Sequence, residues 1–121
     1  MDKKTVEKEL KDDMPLFTGT ECYWTHRKGG IKYTDGIKYV ADTAEAHWII
    51  DLVESYQPAL MKAGKSFQIW TLLINNGSGT MTCKEDTGQP NLVAPEIKTD
   101  FPLDEFEFYC IDGVILLKGE Y

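Results

Sequence analysis

Residues 106–121 constrain the fold of this chain more than any other segment. Two runs of apolar, β-branched and aromatic residues meet there at the dipeptide Asp112-Gly113. Asp-Gly readily adopts the positive φ angles of a two-residue turn, and the twist of that turn matches the twist of the flanking strands. The sequence therefore predicts a closing β-hairpin, which requires an antiparallel sheet at the C-terminus.

Length and composition indicate a single domain, and cysteine usage indicates a reducing cytoplasm. With 121 residues, of which 42% are hydrophobic and 27% charged, the chain is long enough for one core and too apolar to be disordered. Its cysteines, Cys22, Cys83 and Cys110, form neither a C-x-x-C pair nor a zinc spacing. No run approaches the ~18 apolar residues of a membrane span, and the N-terminus lacks a signal-peptide core. We expect a cytoplasmic protein with no membrane segment and no cofactor.

The N-terminal segment combines helix-forming residues with a regular apolar spacing. Val6 and Leu10 lie four residues apart, which predicts a short helix over residues 3–12. We interpret residues 1–16 as a helical extension that precedes a single domain at residues 17–121.

The next segment permits two interpretations. The triplet Ile-Lys-Tyr occurs on both sides of Asp35-Gly36, which is typical of a second hairpin, whereas Asp35 is also a suitable cap for a helix. We favour a strand that ends near Thr34 and is followed by a helical turn.

A longer helix is predicted after Asp42. The spacing of Asp42 and Glu45 resembles a capping box, and residues 44–56 contain neither glycine nor proline, so Pro58 is expected to end the helix. Apolar residues around Trp48 cover a wide arc of this helix. It is therefore predicted to pack across the sheet as the main core element.

The remaining segments read as strands, and together they predict the fold class. The predicted strands and turns are residues 17–26, 31–34, 66–75, 80–85 and 92–99, with a turn at Asn76-Gly77 and the closing hairpin. Pro95 demotes the segment 92–99 to an edge or bulged strand. We predict an α+β domain in which an antiparallel sheet of about five to six strands packs one main helix on one face.

Several short motifs occur in an order that is similar to that of a known family. They are Phe17-Thr-Gly-Thr20, His26, Tyr33-Thr-Asp-Gly36, Trp48-Ile-Ile-Asp51, Gln68-Ile-Trp70, Thr99-Asp-Phe-Pro-Leu103 and Asp112-Gly-Val114. On these motifs the chain resembles, over residues 17 to 118, a family of short proteins from bacterial genomes and mobile elements that is classed as a domain of unknown function. The resemblance implies a stand-alone domain, accessory to a phage or plasmid, and brings no activity with it.

Acidic residues are concentrated in the C-terminal third. Residues 81–121 hold three lysines and nine acidic residues, and the net charge of the chain is -7. This balance disfavours general binding of duplex DNA, since phosphate affinity comes mainly from lysine and arginine. Asp104, Glu105 and Glu107 are candidate contacts for a basic groove on another protein. The simpler interpretation is that they keep an exposed sheet edge soluble.

One segment combines aromatic and basic residues. Tyr23 and Trp24 precede His26, Arg27 and Lys28, a combination that is typical of surfaces binding single-stranded nucleic acid. Alternation in an ordinary amphipathic strand explains the same pattern. We favour that simpler explanation.

A weaker pattern suggests a metal site. His47, Asp51 and Glu54 follow one stripe of the main helix and are metal-ligand types, and His26 is a further candidate ligand. A solvated helix stripe with a local His47–Asp51 pair explains them as well. The cysteines are expected to pack as small buried hydrophobic residues.

Taken together, the residues favour a non-enzymatic binding protein whose partner is another macromolecule, and a protein rather than a nucleic acid. A small metal-dependent enzyme and a single-strand nucleic-acid binding protein are the alternatives.

Overall fold

The computed structural model of this chain describes residues 3–18, 23–25, 31–85, 96–99 and 101–121. In these residues the helices are α1 (Lys3–Asp13), α2 (Asp35–Thr43) and α3 (Trp48–Lys62). The strands are β1 (Tyr23–Thr25), β2 (Lys32–Thr34), β3 (Phe67–Asn75), β4 (Ser78–Lys84), β5 (Glu96–Lys98), β6 (Glu105–Ile111) and β7 (Val114–Leu117). The predicted α+β class is confirmed. The prediction of five to six strands and one main helix is wrong, because the described residues form seven strands and three helices.

All seven strands form one open sheet in the order β1-β2-β7-β6-β3-β4-β5. Neighbouring strands are antiparallel except β2 and β7, which are parallel. The closing hairpin is confirmed, with φ angles of 49° at Asp112 and 80° at Gly113. A second two-residue turn joins β3 to β4, with φ angles of 51° at Asn76 and 79° at Gly77. Both turns use the geometry that suits tight hairpins.

Strands β4, β6 and β7 alternate between a core face and a more exposed opposite face, whereas β3 departs from this pattern at Ile69, which is buried on the opposite face. On β6 the buried residues are Phe106, Phe108 and Cys110, and the residues between them are partly exposed. Trp70 of β3 is fully buried and pairs directly with Phe108. This alternation is the period of two expected of a sheet with one covered face.

All three helices pack on the core face. Helix α1 contributes Val6 and Leu10 to the same hydrophobic core as the strands, together with residues of the other two helices. Helix α2 buries Ile37 and Val40, and α3 buries residues that include Val53. The N-terminal helix predicted over residues 3–12 is therefore present at Lys3–Asp13, and its apolar positions are buried in the common core.

The ambiguous segment at Asp35 adopts the favoured arrangement, in which a strand ends at Thr34 and a helix follows. The cap of α2, however, is Thr34. Its side-chain hydroxyl accepts a hydrogen bond from the backbone N–H of Ile37 at 3.3 Å. Threonine in extended backbone is a good N-cap because its oxygen satisfies a donor that the first turn leaves free.

Two boundaries of the main helix were predicted wrongly. The supposed capping box at Asp42 does not begin a helix, since α2 continues to Thr43 and Glu45 takes a φ of 52° in the link to α3. Pro58 does not end α3, because this proline lies inside the helix. Trp48, at the start of α3, is partly buried and packs against the core.

A buried carboxylate closes the end of the chain onto the sheet. Glu120 is 8% exposed and accepts hydrogen bonds from the Thr34 hydroxyl at 2.6 Å, the Leu117 N–H at 3.0 Å and the Gly36 N–H at 3.3 Å. A carboxylate at the first turn of a helix also interacts favourably with the helix dipole. Glu120 thus joins the ends of β2 and β7 to the start of α2.

Candidate functional site

No helix of the described residues covers the second face of the sheet, which we call the uncovered face. Its residues alternate with the core positions along each strand. On β7 they are Val114 and Leu116, and on β6 they are Glu105, Glu107, Tyr109 and Ile111. On β3 they are Phe67, Ile69, Thr71, Leu73 and Asn75. On β4 they are Ser78, Thr80, Thr82 and Lys84, and on β5 they are Glu96 and Lys98. Open antiparallel sheets usually place polar residues on such a face, so large apolar residues there are informative.

An exposed leucine lies between two carboxylates at one end of this face. Leu73 pairs directly with Glu105 of β6 and with Thr80 of β4, and Thr80 pairs with Glu96 of β5. We call this row of four residues the acidic-leucine patch. The Leu73 side chain is 47% exposed, and both glutamates are exposed. Leu73, Thr80 and Glu96 also line an open groove of about 610 Å³, whose wall includes Lys98.

The middle of the uncovered face is occupied by an ion pair. Glu107 lies 2.7 Å from the Lys118 ammonium and accepts a hydrogen bond from the Thr71 hydroxyl at 2.9 Å. The hydrogen bond from Lys118 is the main cause that lowers the pKa of Glu107, and the Thr71 bond lowers it further. The same pair raises the pKa of Lys118. The negative charge of Glu107 is therefore compensated by the positive charge of Lys118.

Aromatic rings pack together at the other end of the uncovered face. The ring centroids of Phe67 and Tyr109 lie 5.5 Å apart, and Tyr121 packs edge-on against both at 5.9 and 5.5 Å. Such edge-to-face contacts are favourable for aromatic pairs. The acidic-leucine patch and this aromatic cluster are thus separated by the Glu107–Lys118 pair.

The three acids predicted as binding residues have different environments. Asp104 and Glu105 are exposed, whereas Glu107 is partly buried in its ion pair. Leu73 was not predicted as a binding residue, because residues 72–74 are all apolar and such a run does not indicate which side chains face the core. Thr71 and Asn75 are polar and share a face with Leu73, and this pattern could have indicated that the face of Leu73 is the exposed one.

The predicted aromatic and basic segment is only partly described. Tyr23 and Trp24 lie on the edge strand β1 and are 58% and 42% exposed. The Trp24 indole N–H donates to Asp35 at 2.9 Å, and the Lys38 ammonium lies 4.8 Å from the ring centroid. His26, Arg27 and Lys28 lie outside the described residues. Trp24 thus already contacts two residues of α2. Strands β2 and β7 lie between its strand, β1, and the acidic residues of β6.

Among the described residues, the candidate ligands His47, Asp51 and Glu54 are not part of a cluster that could hold a metal ion. Across the described ranges, no three His, Cys, Asp or Glu side chains gather in a way that would hold an ion. His47 pairs through its Nε2 with Asp42 Oδ1 at 2.7 Å. Asp51 and Glu54 follow on α3, and Glu54 is partly buried. His26 lies outside the described residues.

Two thiols are buried in the core. Cys83 and Cys110 are free and fully inaccessible, as predicted, and Cys22 lies outside the described residues. Burial raises the pKa of each thiol to about 12, because a thiolate would lose its hydration. Neither is suited to act as a nucleophile, which requires the thiolate.

Comparisons with known proteins give a family without an assigned role. Among the described residues, no helix is both long and apolar enough to cross a membrane. No curated protein and no solved structure matches the chain. A family model described as a family of unknown function, DUF6876, matches residues 8–121. The match spans most of the sequence, and the chain therefore belongs to DUF6876, a family of unknown function.

Proposed function

We propose that this protein is a non-enzymatic binding protein whose uncovered sheet face contacts another protein. The observation that carries the proposal is the 47% exposure of Leu73 within a regular strand. Leucine is among the residues most often buried, and full burial of its side chain is favourable by about 1.5 to 3 kcal/mol. Because Leu73 is 47% exposed, a partner that covers it gains about half of this free energy, roughly 0.7 to 1.4 kcal/mol.

The size of the face indicates the class of complex. Strands β6 and β4 have seven residues each, which corresponds to about 23 Å at ~3.3 Å per residue. The five strands from β7 to β5 span about 19 Å at ~4.8 Å per spacing. The resulting flat area of about 440 Å² is smaller than the ~800 Å² that each partner contributes to a standard stable interface. The proposed interaction with the partner is therefore weak and transient.

The chain offers a matched pair of variants for testing this proposal. Leu73 and Met61 are equally exposed apolar residues, at 47% and 43%, but Met61 lies on α3 on the opposite side of the sheet. Leu73→Asp is expected to abolish recovery of the partner in affinity capture from host cells, whereas Met61→Asp retains it. Thermal unfolding of both variants checks that each is folded. Equal recovery by wild type and Leu73→Asp would overturn the proposal.

Nucleic-acid binding through Tyr23 and Trp24 is the competing proposal, and one measurement separates the two. Labelled single-stranded oligonucleotides are titrated at low salt, where attraction between opposite charges is strongest. Binding that Trp24→Ala abolishes and Leu73→Asp leaves intact would favour the nucleic-acid function. We also propose that the protein is accessory to a phage or plasmid, and the identity of the captured partner tests this.

A further inference from the structure

We infer that the acidic-leucine patch binds an extended basic segment of its partner, in which an apolar side chain lies between two cationic side chains. This inference rests on the proposed function, because it specifies what covers Leu73. It follows from the charge, the spacing and the shape of the patch.

Neither carboxylate of the patch forms a direct ion pair within the described part of the chain. Glu107 has Lys118 as its ion-pair partner. Lys118 also interacts electrostatically with Glu105, and Lys98 lies two residues from Glu96 on the same face of β5. Asp104 is also exposed beside Glu105. Two separated carboxylates next to an apolar side chain complement a segment with cations on both sides of an apolar residue.

The spacing of the carboxylates favours an extended segment. Glu105 and Glu96 lie on strands that are three neighbours apart, which separates their backbones by about 14 Å. In an extended chain, residues i and i+4 share a face and lie about 13 to 14 Å apart, with residue i+2 between them. Helical residues i and i+7 are only about 10.5 Å apart. A cation-x-apolar-x-cation segment that crosses the strands therefore matches the row.

The groove beside Leu73 constrains which residue of the bound segment can lie next to the cation at Glu96. Its open volume of about 610 Å³ is lined by residues that include Leu73, Thr80, Glu96 and Lys98, and Lys98 lies two residues from Glu96 along β5. The apolar side chain of the segment contacts Leu73, and one cation reaches Glu96. Because Lys98 is positive, a third cation on the Lys98 side of Glu96 would be repelled, so a segment residue that reaches that side is neutral or acidic.

Synthetic peptides test this chemistry on the purified protein without the natural partner. The probe is a nine-residue peptide with Lys-Thr-Leu-Thr-Lys at its centre, flanked on each side by Gly-Ser. It is expected to shift the backbone amide NMR signals of Leu73, Thr80, Glu96 and Glu105. Replacing the central leucine of the peptide by serine, or both lysines by glutamate, is expected to remove these shifts.

Charge reversal in the protein supplies the reciprocal measurement. The double variant Glu96→Lys/Glu105→Lys is expected to bind the lysine peptide about tenfold more weakly, because two attractive pairs become repulsive. The same variant is expected to bind the glutamate peptide in preference. The control Asp12→Lys/Glu45→Lys reverses two exposed acids on the helical side and is expected to change nothing.

The outcomes separate this inference from the proposed function. If the lysine and glutamate peptides bind equally, or neither shifts the patch, the inference is overturned even when partner capture depends on Leu73. A peptide with lysines seven residues apart in a stable helix that binds more tightly also overturns it. If capture is insensitive to Leu73→Asp, the proposed function fails whatever the peptides do.

Discussion

Glu120 shows how one residue connects segments that are distant in the chain. Its buried carboxylate accepts hydrogen bonds from Thr34, Gly36 and Leu117, which belong to β2, α2 and β7. Buried carboxylates are stable only when such donors compensate the lost hydration. The close approach of this carboxylate leaves no room for a side chain at residue 36.

Substitution of Gly36 by alanine tests this close approach. A Cβ atom at residue 36 would lie 2.5 Å from Glu120 Oε1 and 2.6 Å from Leu117 Cδ1. Alanine normally stabilises a helix by about 1 kcal/mol relative to glycine. Here we expect Gly36→Ala to lower the free energy of unfolding by about 1 to 3 kcal/mol, as overpacking does. Chemical denaturation measures the change.

A double-mutant cycle identifies the cause. If the clash with Glu120 is responsible, Gly36→Ala costs less in a Glu120→Ala background than in the wild type. Equal costs in both backgrounds, or a stabilising Gly36→Ala, would contradict the geometry.

The ion pair between Glu107 and Lys118 predicts a pH dependence of stability. The pKa of Glu107 is lowered from its ordinary value of 4.5, chiefly by Lys118, so folding favours the ionised form. Its contribution is complete above about pH 4.5 and is lost as pH falls through the lower folded-state pKa. The pKa of Lys118 is raised, so its contribution is lost only as pH rises through that value, above 10.5.

Glu107→Gln is therefore expected to reduce the loss of stability between about pH 5 and pH 3. The side chain is 31% exposed, which limits the effect to about 1 kcal/mol or less. Denaturation curves at a series of pH values measure it, and the exposed Glu105→Gln serves as the control. Parallel pH profiles for Glu107→Gln and the wild type would exclude the pair as a contributor.

At the scale of elements, α3 tolerates a residue that normally ends a helix. Pro58 lies inside Trp48–Lys62 and is exposed. It provides no N–H for the carbonyl of Glu54, the residue four positions earlier. The helix continues because Leu60, beyond the proline, is buried in the core. Tertiary packing thus outweighs a local preference of about 3 kcal/mol.

Replacing Pro58 tests whether tertiary packing maintains α3 against the unfavourable effect of a proline inside the helix. Pro58→Ala restores a helical N–H and is expected to raise the free energy of unfolding by about 1 to 3 kcal/mol. Thermal and chemical unfolding measure the gain. Pro15→Ala is the matched control, because Pro15 lies in the first turn of the short 3-10 helix Met14–Leu16, where proline is well tolerated. A gain of equal size at both positions would show that the helix interior is not the cause.

At the scale of the whole molecule, one core joins both ends of the chain. Val6 and Leu10 of α1 contact the same cluster as Ile115 and Leu117 of β7. Cys83 and Cys110 lie within this cluster and are fully buried. Their exposure therefore requires the opening of the core.

Thiol labelling measures this opening. In a Cys22→Ser variant, a thiol reagent is expected to react with Cys83 and Cys110 at least about 1,000-fold more slowly in native buffer than in urea, as for groups exposed only by global unfolding. The labelling rate is expected to rise together with the unfolding transition measured by circular dichroism. Rapid labelling under native conditions would indicate a local opening of β4 or β6.

Local features of the fold were predictable from the sequence because their causes lie within a few residues. Asp112-Gly113 and Asn76-Gly77 determine their turns through positive φ angles. The spacing of Val6 and Leu10 determined the apolar face of α1, and the alternation in residues 106–110 determined the core face of β6. These features need no knowledge of what the segment packs against.

Other features were decided only by the tertiary structure. The parallel pairing of Lys32 with Val114 and the contact of Glu120 with Gly36 join residues more than 80 positions apart. The exposure of Leu73 and the neutralisation of Glu107 depend on which strands lie beside β3 and β6. The sequence by itself determined turns, periods and charge; packing determined which apolar side chain stayed in solvent and which acid kept its charge unpaired. The physical reason is that burial and ion pairing depend on neighbours in space, which a local pattern does not specify.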